Sequence, residues 1–128
     1  MYRAAAVVTV LLSVAPSLVS AATLVTPPFS GDQVNAGFAT CVVANVGTQS
    51  AGVTVITHDT GGNALDTQTS SSVQPGATFS GLPIDFATYS PSWCEFQVGS
   101  RKAWRGSMFV SKTMSANDGT QTVVIPAQ

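Results

Sequence analysis

The stretch that decides the fold reads Trp93-Cys94-Glu95-Phe96-Gln97-Val98. Apolar and polar residues alternate here, so Cys94, Phe96 and Val98 share one face of a predicted strand. A second stretch, residues 38–44, carries Cys41 and is apolar on both faces, as central strands often are. Both cysteines can therefore point inward from strands, and we predict a disulfide that joins two stacked sheets.

Two other states of these cysteines stay open at this point. They could be two free buried thiols, or they could serve redox or metal chemistry. The chain has two cysteines, no C-x-x-C spacing and a single histidine, which gives little support to a metal or redox site. The leader described next favours an oxidising compartment and hence the disulfide.

The first 22 residues have the organisation of a signal peptide. A basic start at residues 1–3 is followed by an apolar stretch over residues 4–15 and by small residues up to Ala22. Cleavage after Ala21 or after Ala22 fits the small-residue rule of signal peptidases. The apolar stretch is too short to span a membrane, so we expect a chain secreted to the periplasm or the cell exterior.

Residues 23–128 are predicted to form one β-sandwich domain. Gly, Pro, Ser and Thr interrupt the apolar runs every 8–12 residues, and no segment sustains a helical period. We expect seven or eight antiparallel strands in two sheets. Finer expectations are a weak edge strand over residues 64–69, a polar linker over 70–72, a hairpin turn over 117–119, and an irregular segment over 81–92 anchored on the core by Leu82, Ile84, Phe86 and Tyr89.

The turn motifs resemble those of a known group of domains. They are Asn45-Val46-Gly47, a Val53-x-Val55 strand, Asp59 with Gly61-Gly62, Val73-x-Pro75-Gly76 and Cys94-x-Phe96-x-Val98. The span from Cys41 to Val98 thereby resembles the small immunoglobulin-like domains of secreted bacterial proteins, of the adhesion or CARDB-like kind. It lacks the Trp and the tyrosine corner of antibody domains. The resemblance implies a binding or spacer module without catalysis and assigns no functional residue.

Two sets of side chains are candidates for ligand binding. Tyr89, Trp93 and Trp104 could stack on a sugar ring or anchor a protein, or they could pack into the core. The basic residues Arg101, Lys102 and Arg105 could contact an anionic glycan or a lipid surface, or they could keep an edge strand soluble. Four Lys and Arg against six Asp and Glu after residue 22 argue against a nucleic-acid partner.

The sequence gives little support for a catalytic site or a metal site. His58 is expected to be an exposed strand-end residue, with a contact to Asp59 available. Asp59, Gly61, Asn63 and Asp66 could offer oxygens to calcium, but they lack the spacing of a calcium loop, and a metal-free turn is favoured. We expect no cofactor.

The sequence thus predicts a secreted, non-catalytic interaction or structural module whose partner is an unknown protein or glycan. The first alternative is a small carbohydrate-binding protein that uses the exposed aromatic residues. The second is a hydrolase with an unrecognised site. The oligomeric state is open.

Overall fold

The computed structural model describes residues 21–29, 37–86, 88–113 and 120–128. The described chain is all-β, apart from one short 3-10 helix at Arg101–Ala103. Its strands are β1 (Ala22–Val25), β2 (Gly37–Asn45), β3 (Ala51–Asp59), β4 (Ala64–Val73), β5 (Thr78–Ser80), β6 (Ile84–Asp85), β7 (Pro91–Val98), β8 (Trp104–Thr113) and β9 (Thr120–Pro126). No helix in the described ranges is long and apolar enough to cross a membrane.

The strands form two antiparallel sheets. The first sheet, here called sheet A, has the order β1-β7-β3-β4, and the second, sheet B, has the order β5-β2-β8-β9 with β6 also paired to β2. This confirms the predicted antiparallel sandwich. The described residues form nine strands, more than the seven or eight expected, because the two-residue strand β6 lies within the segment predicted to be irregular.

The predicted disulfide is confirmed. Cys41 on β2 and Cys94 on β7 lie in different sheets with their Cα atoms 5.7 Å apart and their sulfur atoms bonded. The hydroxyl of Thr57, which is opposite Cys94 in register, lies 3.1 Å from the Cys41 sulfur. Since a disulfide sulfur carries no proton, the hydroxyl is the donor. The bridge therefore ties the two sheets together at the centre of the core.

The strand positions differ from those of an immunoglobulin domain in one respect. In an immunoglobulin domain, the first strand pairs with the strand that carries the first cysteine, and the last strand pairs with the strand that carries the second cysteine. Here β1 pairs with β7, which carries Cys94, and β8 pairs with β2, which carries Cys41. The opening strand and the closing strands have thus exchanged sheets, while the disulfide still joins the central strands.

The core lies between the sheets and follows the alternation of the strands. Ala39, Cys41 and Val43 of β2 are buried, and so are Cys94, Phe96 and Val98 of β7. Gly106 on β8 lies directly beneath the ring of Phe96, since a Cβ atom at residue 106 would lie 2.5 Å from that ring. Phe96 therefore packs against bare backbone of the opposite sheet.

One corner joins the outer strands of the two sheets. The backbone N–H of Val25 donates to the carbonyl of Gln128 at 3.1 Å, and the N–H of Gln128 donates back to Val25 at 2.9 Å. Next to this pair, the N–H of Ala127 donates to Gly106 of β8. The N-terminal strand of sheet A is in this way connected to the end of sheet B.

Two finer expectations are wrong. Residues 70–72 continue β4 rather than forming a linker, because a solvent-exposed edge strand needs no apolar residues to pair with β3. Leu82 and Tyr89 are about half exposed and do not anchor the segment, whereas Ile84 and Phe86 are partly buried. The predicted turn at residues 117–119 and residues 1–20 of the predicted leader lie outside the described residues.

Candidate binding surface

The outward face of sheet B is apolar at its centre. Because Ala39, Cys41 and Val43 point inward, Phe38 and Val42 point outward from β2. Phe109 points outward from β8 for the same reason, and Val124 is its register partner on β9. Phe38 is 48% exposed and Val124 is 52% exposed. We call these four residues (Phe38, Val42, Phe109 and Val124) the apolar face.

Register places Phe109 at the centre of the apolar face. Val124 lies directly beside it on β9, and Thr40 lies directly beside it on β2. Phe38 and Val42 are each two residues from Thr40, so they are the diagonal neighbours of Phe109, about 7–8 Å away between backbones. The four side chains therefore form one contiguous patch.

The outward face of sheet A is polar by comparison. Thr54 and Thr69 are hydrogen-bonded across β3 and β4 at 3.0 Å, and Gln97 donates to Glu95 on β7. Ile56 and Val25 also face outward, but Glu95 lies between them as the register partner of both. The two outer faces of the sandwich are thus chemically different.

Opposite charges flank the apolar face at its two ends. Asp85 of β6 is the register partner of Phe38, and Arg105 of β8 is the register partner of Ala44. Since Phe38 and Ala44 are six residues apart on β2, the two ends are separated by about 20 Å. The described side chains between them that face outward are uncharged.

The predicted aromatic residues do not form one platform. The Trp93 ring is stacked on the His58 ring, with centroids 3.8 Å apart and planes within 9° of parallel, so one of its faces is covered. Tyr89 is 51% exposed and makes no ring contact with Trp93 in the described structure. Trp104 is 1% exposed, because it points inward in register with Asn45, and its ring cannot stack on a ligand.

The exposure and the contact partner of His58 differ from those predicted. It is 9% exposed rather than solvent-facing, and it contacts Glu95 rather than Asp59. Its Nε2 lies 2.8 Å from the Glu95 carboxyl group, and its Nδ1 lies 3.1 Å from the carbonyl of Gly62, which can only accept a hydrogen bond. Both ring nitrogens of His58 therefore have partners within the protein.

The basic residues lie at the other end of the sandwich from Trp93. Trp93 and Val98 are five residues apart on β7, or about 17 Å, and the 3-10 helix with Arg101 and Lys102 follows Val98. Both helix residues are exposed. Arg105 Nη1 donates to the carbonyl of Trp104 at 2.7 Å, so its guanidinium folds over this end of the strand. The structure therefore separates the predicted aromatic and basic sites.

A shallow groove of about 470 Å³ lies beside the 3-10 helix. Its lining comes from the loop of residues 47–51 and from residues 99–104, which include Lys102 and Trp104. Asn45 holds this loop, because its fully buried side-chain amide donates to the carbonyls of Gln49 and Val73 and accepts from the N–H of Gly47. Sequence analysis missed the groove, because its walls come from residues about fifty positions apart.

The turn considered for calcium is held together by its own hydrogen bonds. Asp59 Oδ1 accepts from the N–H groups of Gly61 and Asn63, and the Asn63 side-chain amide donates to both carboxylate oxygens. The Asn63 side-chain bond, followed by its backbone N–H bond, lowers the pKa of the Asp59 carboxyl below 3.8. Asp66 instead accepts from Leu82 and Gln68. In the part of the chain that the structure describes, no group of three His, Cys, Asp or Glu residues could hold a metal ion.

The apolar face was also missed, although the sequence contained a signal for it. Residues 38–44 are apolar on both faces, and β2 is a central strand of sheet B as expected, but its outward apolar residues also contribute to the apolar face. Phe109 has the opposite parity to Met108 and Val110, which predicts that it faces outward. Pairing between β2, β8 and β9 was needed to show that these outward residues adjoin one another.

Comparison with known proteins adds little about identity. No protein-family model and no curated protein matches the chain. Among solved structures, the crystal structure of Thermotoga maritima 1070 is similar with a TM-score of 0.49 and 9% sequence identity, over 80% of this chain and 90% of that chain. A similarity of this size gives no information about what the chain binds.

Proposed function

We propose that this chain is an exported, non-catalytic interaction module that binds a protein through the apolar face. The observation that carries the proposal is the contrast between the outer faces: among the described residues, only the face of sheet B presents a contiguous apolar patch. Apolar patches rimmed by polar residues mark interaction sites in proteins of this size. The disulfide and the signal-like leader support export.

Binding is favoured over catalysis because the candidate catalytic side chains are hydrogen-bonded within the protein and lie apart from one another. The nitrogens of His58 are both engaged, and Asp59 and Asp66 accept hydrogen bonds at separate places. A flat sheet face with apolar side chains suits a protein surface better than a small polar substrate, which needs a concave site. The adhesion or CARDB-like resemblance is consistent with such a module.

A photo-crosslinking experiment tests the proposal. Benzoylphenylalanine is placed at residue 109, at the centre of the apolar face, and as a matched control at Thr67, which is exposed on the outward face of sheet A. Irradiation of producing cells should give a discrete protein adduct from residue 109 and none from residue 67. The proposal fails if residue 109 gives no adduct, or if both positions give the same adducts.

Carbohydrate binding is a second candidate because Tyr89 is half exposed. Trp93, which was expected to bind the sugar together with Tyr89, offers less ring surface because His58 covers one of its faces. A glycan array with the wild type and with Tyr89→Ala distinguishes the two: binding that Tyr89→Ala abolishes would support this candidate, and silence of the wild type would remove it.

A further inference from the structure

We propose that the groove beside the 3-10 helix binds an acidic segment of a glycan, one whose sugar rings carry carboxylate groups. This site is distinct from the apolar face, and it takes a different kind of ligand from the protein partner proposed above. It is carried by the way the groove is built, by the chemistry of its lining and by the distribution of charge over the sandwich.

The two segments that line the groove, residues 47–51 and 99–104, are bonded to each other. The backbone N–H of Val46 donates to the carbonyl of Ala103 at 2.8 Å. Gly47 lies against the same residue, since a Cβ atom at residue 47 would lie 3.0 Å from the Ala103 Cβ. The fully buried Asn45 amide fixes the first segment from below. The concave shape is therefore formed before a ligand binds, which lowers the cost of binding.

Arg105 holds the second segment. Its Nη1 donates to the carbonyl of Trp104 at 2.7 Å and lies 3.4 and 3.5 Å from the carbonyls of Arg101 and Lys102. Arg105 is therefore a positioning residue, which shapes the groove without contacting the ligand. The side chains of Arg101 and Lys102 are exposed, and within the described ranges they make no hydrogen bond or ion pair of their own.

The lining suits the mixed surface of a sugar ring. Apolar surface is available from Ala51 and Ala103, and hydroxyl groups are available from Thr48, Ser50 and Ser100. A sugar ring has C–H groups on its faces and hydroxyl groups around its edge, and the hydroxyl groups of serine and threonine can both donate and accept hydrogen bonds. The groove volume of about 470 Å³ lies within the range of small-ligand sites.

The charges select an acidic sugar over a neutral one. Lys102 lines the groove, and Arg101 precedes it in the same helical turn. No acidic side chain of the described residues lies at this end of the sandwich. The nearest is Glu95, which is three residues from the end of β7, or about 10 Å, and is paired with His58. An uncompensated positive charge in a concave site attracts anions, and the three N–H groups of a lysine can bind a carboxylate.

A glycan suits this end better than a lipid surface does. Proteins that bind a bilayer through basic residues usually also insert several apolar side chains into it. Among the described residues, Val46 is the one large apolar side chain that is exposed beside the groove. A concave site lined by hydroxyl groups therefore favours a sugar as the occupant.

Titration of the ¹⁵N-labelled protein by NMR tests the inference, with a trimer of galacturonic acid as the acidic probe. The trimer should bind with a dissociation constant on the order of 1 mM or tighter, and its chemical-shift changes should cluster at residues 47–51 and 99–104. Maltotriose, a neutral trisaccharide, should bind at least about tenfold more weakly, because it has no carboxylate for Lys102.

Two variants test the role of Lys102. Lys102→Gln should weaken binding of the trimer about tenfold, because it removes a charged hydrogen-bond donor. Lys112→Gln is the matched control: it removes the same charge at the far end of β8, where residue 112 is in register with Gly37, and it should leave the affinity unchanged. Dispersed amide spectra show that each variant is folded.

Four results would overturn the inference. They are the absence of shift changes in the groove at about 20 mM trimer, equal affinity for maltotriose, an affinity that Lys102→Gln leaves intact, and inorganic phosphate binding as tightly as the trimer. Binding to phosphatidylglycerol vesicles without binding of the trimer would likewise replace the glycan by a lipid surface. None of these results affects the crosslink expected from residue 109, so this inference and the proposed function can fail separately.

Discussion

Replacing Gly106 by alanine should destabilise the sandwich through the core and not through the backbone. Gly106 does not have a positive φ angle, so alanine is compatible with its conformation. The added Cβ would lie 2.5, 2.6 and 3.0 Å from three carbon atoms of the Phe96 ring. Carbon atoms in contact are normally 3.5–4.0 Å apart, so the ring would have to move by about 1 Å.

The expected cost follows from the surroundings of that ring. Phe96 is fully buried between the sheets and has no solvent to move into. Overpacking of this kind costs about 1–3 kcal/mol, and the smaller unfolded-state entropy of alanine offsets about 0.4–1 kcal/mol. We expect a net loss of about 1.3 kcal/mol in the free energy of unfolding, and a melting temperature lower by about 6 °C.

A double-mutant cycle measured by urea unfolding isolates this contact. Phe96→Leu removes the ring atoms that the new methyl group would meet, and Gly106→Ala with Phe96→Leu nearly conserves the core volume. The double variant should therefore lose clearly less stability than the sum of the single variants, with a coupling energy of 1 kcal/mol or more. The reasoning is refuted if Gly106→Ala alone costs less than 0.5 kcal/mol, or if the two changes add.

Three further predictions concern the bridge, the groove and the turn. Replacing Cys41 and Cys94 together by alanine should cost about 4 kcal/mol, since the bridge closes a separation of 53 residues, and a melting point unchanged under non-reducing conditions would contradict this. Asn45→Asp should cost about 3 kcal/mol in urea unfolding, because a carboxylate cannot donate to the two carbonyls that the amide binds at 2.8 Å; a loss under 1 kcal/mol would count against it. NMR titration should give Asp59 a native pKa below 3.8, and Asn63→Ala should raise that pKa. The stabilising contribution of the Asp59 carboxylate is therefore present above the unfolded pKa and is lost as the pH falls through the native pKa. A wild-type pKa at or above 3.8 would disprove the stated cause.

The sequence predicted the architecture because period-two alternation and turn residues are local signals. The inward direction of Cys41 and Cys94 could be read from six or seven residues, and the bridge followed. The continuation of β4 over residues 70–72 was not predicted, because this edge strand is stabilised by pairing with β3 and a run of serines does not reveal that pairing.

Most of the candidate site could not be predicted from the sequence, because it depends on the register between strands. His58 and Glu95 are 37 residues apart, and only the pairing of β3 with β7 brings them together. The apolar face likewise draws on β2, β8 and β9. Trp104, whose role as a ligand-stacking or a core residue stayed open, points inward with Met108.

The reciprocal bonds between Val25 and Gln128 have a practical consequence for handling the protein. Removing residues 127 and 128 would leave the backbone groups of Val25 without these partners, so a truncation on one side of this corner loosens the strand on the other side. Affinity tags fused directly after Gln128 would crowd the same corner. A spacer of several glycine and serine residues between Gln128 and the tag should leave that corner closed.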